Sequence, residues 1–145
     1  MKISTKGRYA VRLMYDLAMH NTGDWIALKD ISRRQNVSVK YLEQIVRQLS
    51  VCGYLKSLRG PHGGYQLSKG PEEYTIYDIL NITEGSIQPV ACLDDEVNQC
   101  ERYHECPTIS VWEGLGKVIY EYLSSITIKD LVEDARRRGG NDFII

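Results

Sequence analysis

The architecture of this chain follows from Ser38-Val-Lys-Tyr-Leu-Glu-Gln-Ile-Val-Arg-Gln-Leu-Ser-Val-Cys-Gly-Tyr-Leu-Lys-Ser-Leu-Arg-Gly-Pro-His-Gly-Gly-Tyr65. Ser38 can accept hydrogen bonds from the free N–H groups at the start of a helix. Four apolar residues behind it have helical spacing and predict one buried face: Leu42, Ile45, Val46 and Leu49. Long polar side chains occupy the rest of the surface: Lys40, Tyr41, Glu43, Gln44, Arg47 and Gln48.

Two further helices are predicted on the N-terminal side of this stretch. A short one covers residues 28 to 35 and is followed by Asn36, which tolerates the left-handed conformation common just past a helix end. A longer one begins near Ser4 or Thr5 and ends near residues 21 to 23. Two helices joined by a tight turn, the second with a long polar face, indicate a helix-turn-helix.

A glycine-rich hairpin is predicted directly after the second helix of this motif. Residues 54–58 and 65–68 would form its strands, and residues 59–64 its turn. A hairpin in this position is the wing of a winged-helix domain, and Arg59 at its tip could enter a minor groove. A phosphate-cradling loop is the weaker alternative, since no Gly-Lys-Ser/Thr sequence and no helix follow.

The C-terminal half predicts three more helices. The first covers residues 75–83 and buries Ile76, Ile79 and Leu80. The second carries an apolar seam with coiled-coil spacing, made of Trp112, Leu115, Ile119, Tyr122 and Ile126. Because this seam is only about two heptads long, it favours dimerisation but could also pack within one monomer. The third covers residues 127–138 and ends in three arginines, which complement the helix dipole.

The predicted fold is therefore mainly α with a small β wing: a winged helix-turn-helix domain plus a long dimerisation helix. Residues 1–85 would form the DNA-binding domain, residues 86–107 a cysteine-rich cluster-binding loop, and residues 108–145 the dimerisation helix and a C-terminal helix. With 145 residues and 43% hydrophobic content, the chain can bury one such core.

Charge is divided unequally between the two halves of the chain. Residues 1–70 carry 12 Lys and Arg against 4 Asp and Glu, a net charge of +8, whereas residues 71–145 carry 6 against 15, a net charge of −9. A basic half of this kind is typical of a surface that meets phosphate. No apolar run reaches the roughly 20 residues that span a bilayer, and no signal sequence is evident, so we expect a cytoplasmic protein without membrane contact.

Three of the four cysteines lie in one polar stretch, at Cys92, Cys100 and Cys106. Thiolates are soft ligands that select iron–sulfur clusters, zinc or copper(I), and in a reducing compartment such clustering indicates metal binding or thiol chemistry. The fourth, Cys52, falls ten residues after Leu42, and we expect it to be a buried small hydrophobe.

The chain resembles the IscR-type family of winged-helix transcription regulators, which includes NsrR, RirA and CymR. The resemblance runs nearly end to end. It is carried by residues 1–10, residues 38–44, the wing sequence of residues 59–65, the three-cysteine loop and residues 112–131. It implies a homodimer that crosses its long helices, places two recognition helices in successive major grooves, and holds a cluster beside the dimerisation helix.

The resemblance also implies roles for individual residues. Five would face base edges and phosphates: Ser38, Lys40, Tyr41, Glu43 and Gln44. Arg59 and Gly60 would lie at the minor groove, and Cys92, Cys100 and Cys106 would be ligands of the cluster. The chemistry agrees, because Gln pairs with adenine, Glu accepts from cytosine, and Arg is attracted to a narrow minor groove. From spacing alone, Glu43 could equally form a surface ion pair with Arg47.

The chain departs from the family pattern at the fourth ligand. Seven residues separate the first two loop cysteines and five the last two, which is closer to some NsrR and RirA members than to IscR. Ile109 stands where IscR has its histidine ligand, and Arg8 where NsrR has an aspartate. His104 is nearby and chemically suitable, but no family motif supports it. Glu105, a Ser or Thr hydroxyl or an exogenous thiol are the alternatives.

The sequence thus predicts a DNA-binding regulator of the repressor type, not an enzyme, that acts on a double-stranded operator as a homodimer. Operator binding would be controlled by an iron–sulfur cluster, of the two-iron type or else four-iron, that senses cluster status, iron, nitric oxide or redox state. The alternative is a winged-helix regulator without a cluster, which responds through thiol oxidation, zinc or a protein partner.

Overall fold

A computed structural model describes residues 2–142, and side chains within residues 2–139. This part of the chain contains six helices and one two-stranded antiparallel sheet. The order is α1 (Thr5–Met19), α2 (Leu28–Gln35), α3 (Val39–Val51), β1 (Leu55–Leu58), β2 (Gly64–Leu67), α4 (Ile76–Glu84), α5 (Ile109–Ser124) and α6 (Ile128–Asp142). The predicted fold class, mainly α with a small β wing, is confirmed.

Three helix ends lie at polar residues that the sequence indicates. The Ser4 hydroxyl accepts a hydrogen bond from the Gly7 N–H at 3.1 Å, and the Ser38 hydroxyl accepts one from the Tyr41 N–H at 3.2 Å. Asn36 closes α2 with a φ of 54°, in the left-handed region. Since Asn36 and Ser38 enclose a one-residue turn, α3 starts immediately after α2 ends, which gives the helix-turn-helix.

The wing is a hairpin with a third segment at its edge. β1 and β2 pair from Leu55 opposite Leu67 to Leu58 opposite Gly64. Ile26, which precedes α2, forms a β-bridge with Tyr65 through hydrogen bonds of 2.8 and 3.1 Å. A Cβ at Gly64 would collide with the Ile26 carbonyl, so only glycine allows this close approach. The hairpin is thereby fixed to the N-terminal end of α2.

One hydrophobic core joins both ends of the chain. Its fully buried side chains come from α1, α2, α3, α4 and α6, and include Leu13, Ile31, Leu49, Ile79 and Ile128. α6 packs along α1, and Thr75 and Thr127 form a β-bridge, so the C-terminal helix returns to the winged-helix core. Tyr74 is also buried, and its hydroxyl accepts from the Lys69 N–H at 2.9 Å and donates to the Tyr54 carbonyl at 3.0 Å.

A buried ion pair ties α1 to the helix-turn-helix. Asp16 is 0% exposed and accepts two hydrogen bonds from Arg34, at 3.0 and 2.7 Å. The Gln35 amide donates a third bond to the same carboxylate at 3.0 Å. The carboxylate raises the pKa of Arg34 through these hydrogen bonds, against the opposing effect of burial. The full set of partners satisfies the buried charge, which would otherwise be costly.

One packing expectation was wrong. Cys52 is exposed, because α3 ends at Val51 and Cys52 lies just past its last residue, where the phase of the helix no longer sets burial. The predicted seam is divided: Ile119 on α5 and Ile126, just past the end of α5, pack against the core, as the alternative of packing within one monomer allows, whereas Leu115 is exposed.

No helix in residues 2–142 combines the length and the apolar character needed to cross a membrane.

Candidate nucleic-acid interface and cysteine loop

The polar face of α3 is open to solvent over its first two turns. Ser38, Lys40, Glu43 and Gln44 are all exposed. Tyr41 is half-buried, because its ring meets the Tyr9 ring edge to face at a centroid distance of 5.8 Å and an interplanar angle of 85°. The predicted recognition residues therefore share one accessible surface, and a neighbouring aromatic ring fixes the orientation of one of them.

α1 adds a cation to this surface that the sequence analysis missed. The Arg12 guanidinium lies over the Tyr9 ring, 5.0 Å from its centroid. It also donates to the Gln35 side chain at 3.1 Å and to the Gln35 carbonyl at 2.6 Å. The detectable signal was the three-residue spacing of Tyr9 and Arg12, which places them side by side on a helix.

The turn at the tip of the wing is open to solvent. Arg59 and Gly60 are both exposed in the turn between β1 and β2. Gly60 has a φ of 112°, where glycine is favoured, and its carbonyl accepts from the Gly63 N–H at 3.0 Å. The alternative role of Glu43, an ion pair with Arg47, does not form: among the described side chains, the salt bridges include neither residue.

The cysteine loop lies between α4 and α5 and exposes its thiols. Cys92 sits in a short 3₁₀ turn, Ala91–Leu93; Cys92 and Cys100 are exposed, while Cys106 is half-buried. The Cys106 thiol lies 3.6 Å from the Thr108 hydroxyl. Hydrogen bonds from the Thr108 side chain and backbone lower the pKa of Cys106 below its ordinary value, because they favour the thiolate.

Few polar contacts fasten this loop to the rest of the molecule. Ser86 donates to Asp94 at 2.6 Å, but both of these residues belong to the loop; the second contact is the one to α5, where the Tyr103 hydroxyl donates to Glu113 at 2.6 Å. The second contact raises the pKa of Tyr103, since the carboxylate disfavours the phenolate. Ile87 near the start of the loop is buried in the hydrophobic core and anchors that end, whereas the sparse polar contacts beyond it leave the backbone around the cysteines able to rearrange around a ligand.

The donor types in the loop fit an iron–sulfur cluster, but their positions in this structure do not form a site. Thiolates are the usual protein ligands of such clusters. Nevertheless, residues 2–139 contain no group of three or more Cys, His, Asp or Glu side chains placed to hold a metal ion. His104 is exposed and packs edge to face on Tyr103, 5.2 Å between ring centroids. A cluster would thus require the loop to close.

The exposed face of α5 is apolar along its length. Val111, Leu115, Val118 and Tyr122 are 58%, 41%, 60% and 64% exposed. They follow each other at intervals of four, three and four residues, which is the spacing of a helix that packs against a partner helix. This stripe shares Leu115 and Tyr122 with the predicted seam. It does not include Ile119, whose side chain packs against the core.

Comparison with known proteins places these features in one family. The model of the Rrf2 family, described as an iron-dependent transcriptional regulator, matches residues 3–134. The chain belongs to the Rrf2 family. Protein rrf2 from Nitratidesulfovibrio vulgaris strain Hildenborough is 40% identical over 135 residues, which are 93% of this chain and 89% of that protein.

Two solved structures share the fold and much of the sequence. The structure of CymR, named as the global cysteine regulator of B. subtilis, matches with a TM-score of 0.74 and 36% sequence identity. The match covers 92% of this chain and 97% of the CymR chain. The structure of IscR from T. potens matches with a TM-score of 0.73 and 39% sequence identity. That match covers 93% of this chain and 88% of the IscR chain. The fold is therefore that of the winged-helix Rrf2 regulators, and the chain is a transcriptional regulator of this family.

Proposed function

We propose that this Rrf2 regulator binds a double-stranded operator as a homodimer in the cytoplasm and that its cysteine loop controls the binding. One observation carries the DNA-binding part: the capped, exposed start of α3 and the exposed wing arginine belong to the basic half of the chain. A helix of this kind fits the major groove of DNA, and a wing arginine fits the adjacent minor groove.

The roles of single residues follow from their chemistry and exposure. Gln44 and Glu43 can pair with base edges, whereas Lys40 and Ser38 supply charge or a hydroxyl to phosphates. Tyr41 joins them, since the edge of Tyr9 holds its ring in place. Arg59 would enter the minor groove, and the open turn at Gly60 would let the backbone approach the DNA.

Dimerisation is proposed to use the apolar stripe on α5. Four large side chains that are each at least 41% exposed are unfavourable in water, and their heptad spacing suits a second copy of the same helix. A two-fold dimer would present two copies of α3, so that the operator would be close to palindromic.

Control of binding is proposed to depend on an iron–sulfur cluster held by Cys92, Cys100 and Cys106, of the two-iron or the four-iron type. The thiol donor set, its weakly fastened loop and the resemblance to IscR support this assignment. When bound, such a group would supply a redox-active or labile centre beside α5. Coupling to DNA binding of about 1.4 kcal/mol would change operator affinity tenfold.

The DNA-binding part is tested by selecting a duplex from a random pool with the wild-type protein and then comparing two variants. We expect Gln44→Ala to lose discrimination, about 1–3 kcal/mol on the selected duplex, with no change on an unrelated duplex. Lys40→Ala should weaken both equally. Lys129→Ala, at an exposed position on α6, is the control. A wild-type protein that binds no duplex would refute the proposal.

The cluster is tested on protein purified without oxygen. Iron, sulfide and zinc are counted, the visible absorption is recorded, and binding to the selected duplex is measured with and without Cys92→Ala. Charge-transfer absorption that disappears in the variant, together with a changed affinity, is the expected result. Equal affinity of loaded and metal-free protein would exclude control by the cluster.

A second candidate is a regulator without a cluster that responds through thiol oxidation, zinc or a protein partner. The separation of the three thiols in this structure favours it, as does the similarity to CymR. A colourless anaerobic protein whose affinity for the selected duplex changes after treatment with an oxidant would support thiol sensing. Stoichiometric zinc would support a zinc site instead.

A further inference from the structure

A groove separates α3 from the hairpin, beside the recognition residues. It has a volume of about 420 Å³, and its polar lining comes from both elements: Glu43, Arg47, Ser50, Ser57 and Tyr65. The first three follow at intervals of four and three residues, so they form a single stripe along α3. Ser57 and Tyr65 are direct partners across the sheet, so their side chains share one face of the hairpin.

This groove continues to the tip of the wing. A second groove, of about 490 Å³, shares Ser57 and Tyr65 with the first and extends to Arg59 and Gly60. The two together form one concave track from the middle of α3 to the wing tip. We call it the α3–wing track. Its middle is lined by hydroxyl groups, and Arg47 and Arg59 lie toward its two ends.

We propose that the α3–wing track holds the stretch of sugar–phosphate backbone between the major groove entered by α3 and the minor groove reached by the wing. This inference rests on the proposed DNA binding. Arg47 is its phosphate ligand, and the hydroxyl groups of Ser57 and Tyr65 are neutral donors to the same stretch. The position of the track agrees with this occupant, because adjacent grooves of a duplex are separated by one backbone strand and the track lies between α3 and the wing tip.

The charges along the track agree with this occupant. Arg47 is exposed and, among the described side chains, has no carboxylate partner within the 4.0 Å range of a salt bridge. Its charge is therefore available to a phosphate. Glu43 stands one turn earlier on α3, toward the recognition end. Because a carboxylate repels phosphate, the DNA backbone contacts the track at Arg47 and not at Glu43, and Glu43 remains free to contact base edges.

The first test compares the salt dependence of binding for wild type, Arg47→Gln and the matched control Arg136→Gln, which is exposed on α6. Dissociation constants are measured between 50 and 200 mM salt on the selected duplex and on an unrelated duplex. Arg47→Gln should lower the slope of log K against log salt by about 0.9 on both duplexes. At low salt it should weaken both roughly tenfold, while the control changes neither.

The second test locates the phosphate. Single neutral methylphosphonates are placed along each strand of the selected duplex and tested against both proteins. For wild type, one substitution between the α3 and wing footprints should weaken binding, and the same substitution should have no further effect on Arg47→Gln. The track is refuted if wild type binds normally but Arg47→Gln keeps the full salt slope, or if all substitutions act additively. Failure of wild type to bind any duplex refutes the proposed function instead.

Discussion

Replacing Asp16 by asparagine should destabilise the fold more than any change of a surface charge. The carboxylate is 0% exposed and accepts three hydrogen bonds, two from Arg34 and one from Gln35. Asparagine keeps one acceptor oxygen but turns an N–H₂ group toward the Arg34 guanidinium, so donor faces donor. Each hydrogen bond to a charged group contributes about 1.5–3 kcal/mol, and breaking a buried ion pair costs about 3–5 kcal/mol.

The Arg34 side chain is 26% exposed and can rehydrate in part, which places the expected loss near the lower limit, about 3 kcal/mol. At about 2–4 °C per kcal/mol for a chain of this size, the melting temperature should fall by roughly 6–12 °C. Urea unfolding followed by circular dichroism, at one fixed protein concentration, measures the free energy. The concentration must be held constant because dimerisation would add to the apparent stability.

Glu133→Gln is the control, since its pair with Lys129 is half exposed, 3.9 Å long and worth about 0.3–0.5 kcal/mol. The double variant Asp16→Asn with Arg34→Gln should lose about 2 kcal/mol less than the two single losses combined, because the partners are coupled. Strictly additive losses, or an Asp16→Asn protein within about 0.5 kcal/mol of the control, would contradict the reasoning.

Three further outcomes can be measured on the same protein. Leu115→Asp should convert a dimer to a monomer in sedimentation velocity, because it places a charge in the apolar stripe. The control Val97→Asp, in the cysteine loop, should leave the dimer intact. A wild-type protein that is already a monomer would refute the interface. Gly64→Ala should destabilise the wing, since its methyl group collides with the Ile26 carbonyl; unchanged operator affinity and melting temperature would contradict this. Asp130→Asn should lower the melting temperature at pH 7. Hydrogen bonds from Thr127 at the start of α6 lower the pKa of Asp130 below the ordinary value of an aspartate, so the difference should be complete above that ordinary pKa and should disappear as pH falls through the lower folded pKa. A difference that persists in acid would argue against it.

Local chemistry made the winged-helix domain predictable. The caps at Ser4 and Ser38 and the left-handed Asn36 depend on interactions within a few residues, and the structure confirms each of them. The hairpin was equally local, since its turn glycines lie within one short segment. In contrast, the bridge between Ile26 and Tyr65 joins distant parts of the chain, and no local pattern indicates it.

The differences from prediction on α3 and α5 share a physical cause, which is that helical periodicity predicts a face but not its partner. Cys52 continued an apolar pattern one residue beyond the end of α3, where burial is no longer set by the phase of the helix. On α5, the core covers Ile119 and leaves Leu115 exposed, because tertiary packing rotates the helix relative to the seam. The buried ion pair of Asp16 was not predicted for a different reason. A single acidic residue forms no periodic pattern, and its partner Arg34 is 18 residues away in the sequence.

The candidate site also has two parts that differ in how firmly they are held. Its DNA-binding part is built on rigid elements, where Tyr9 supports Tyr41, and Gln35 holds Arg12 beside them. The proposed sensory part is the cysteine loop, in which Cys92 and Cys100 are exposed and few polar contacts reach the rest of the molecule. A ligand can alter a weakly held segment at low energetic cost, whereas a recognition surface must keep its shape to discriminate sequences. The contact of Tyr103 with Glu113 joins the loop to α5, which carries the apolar stripe. In the dimer that we propose, a rearrangement at the cysteines would therefore act first on this stripe and change the spacing of the two copies of α3. Each copy would keep its own recognition surface, and only the ability of both copies to bind one operator would change.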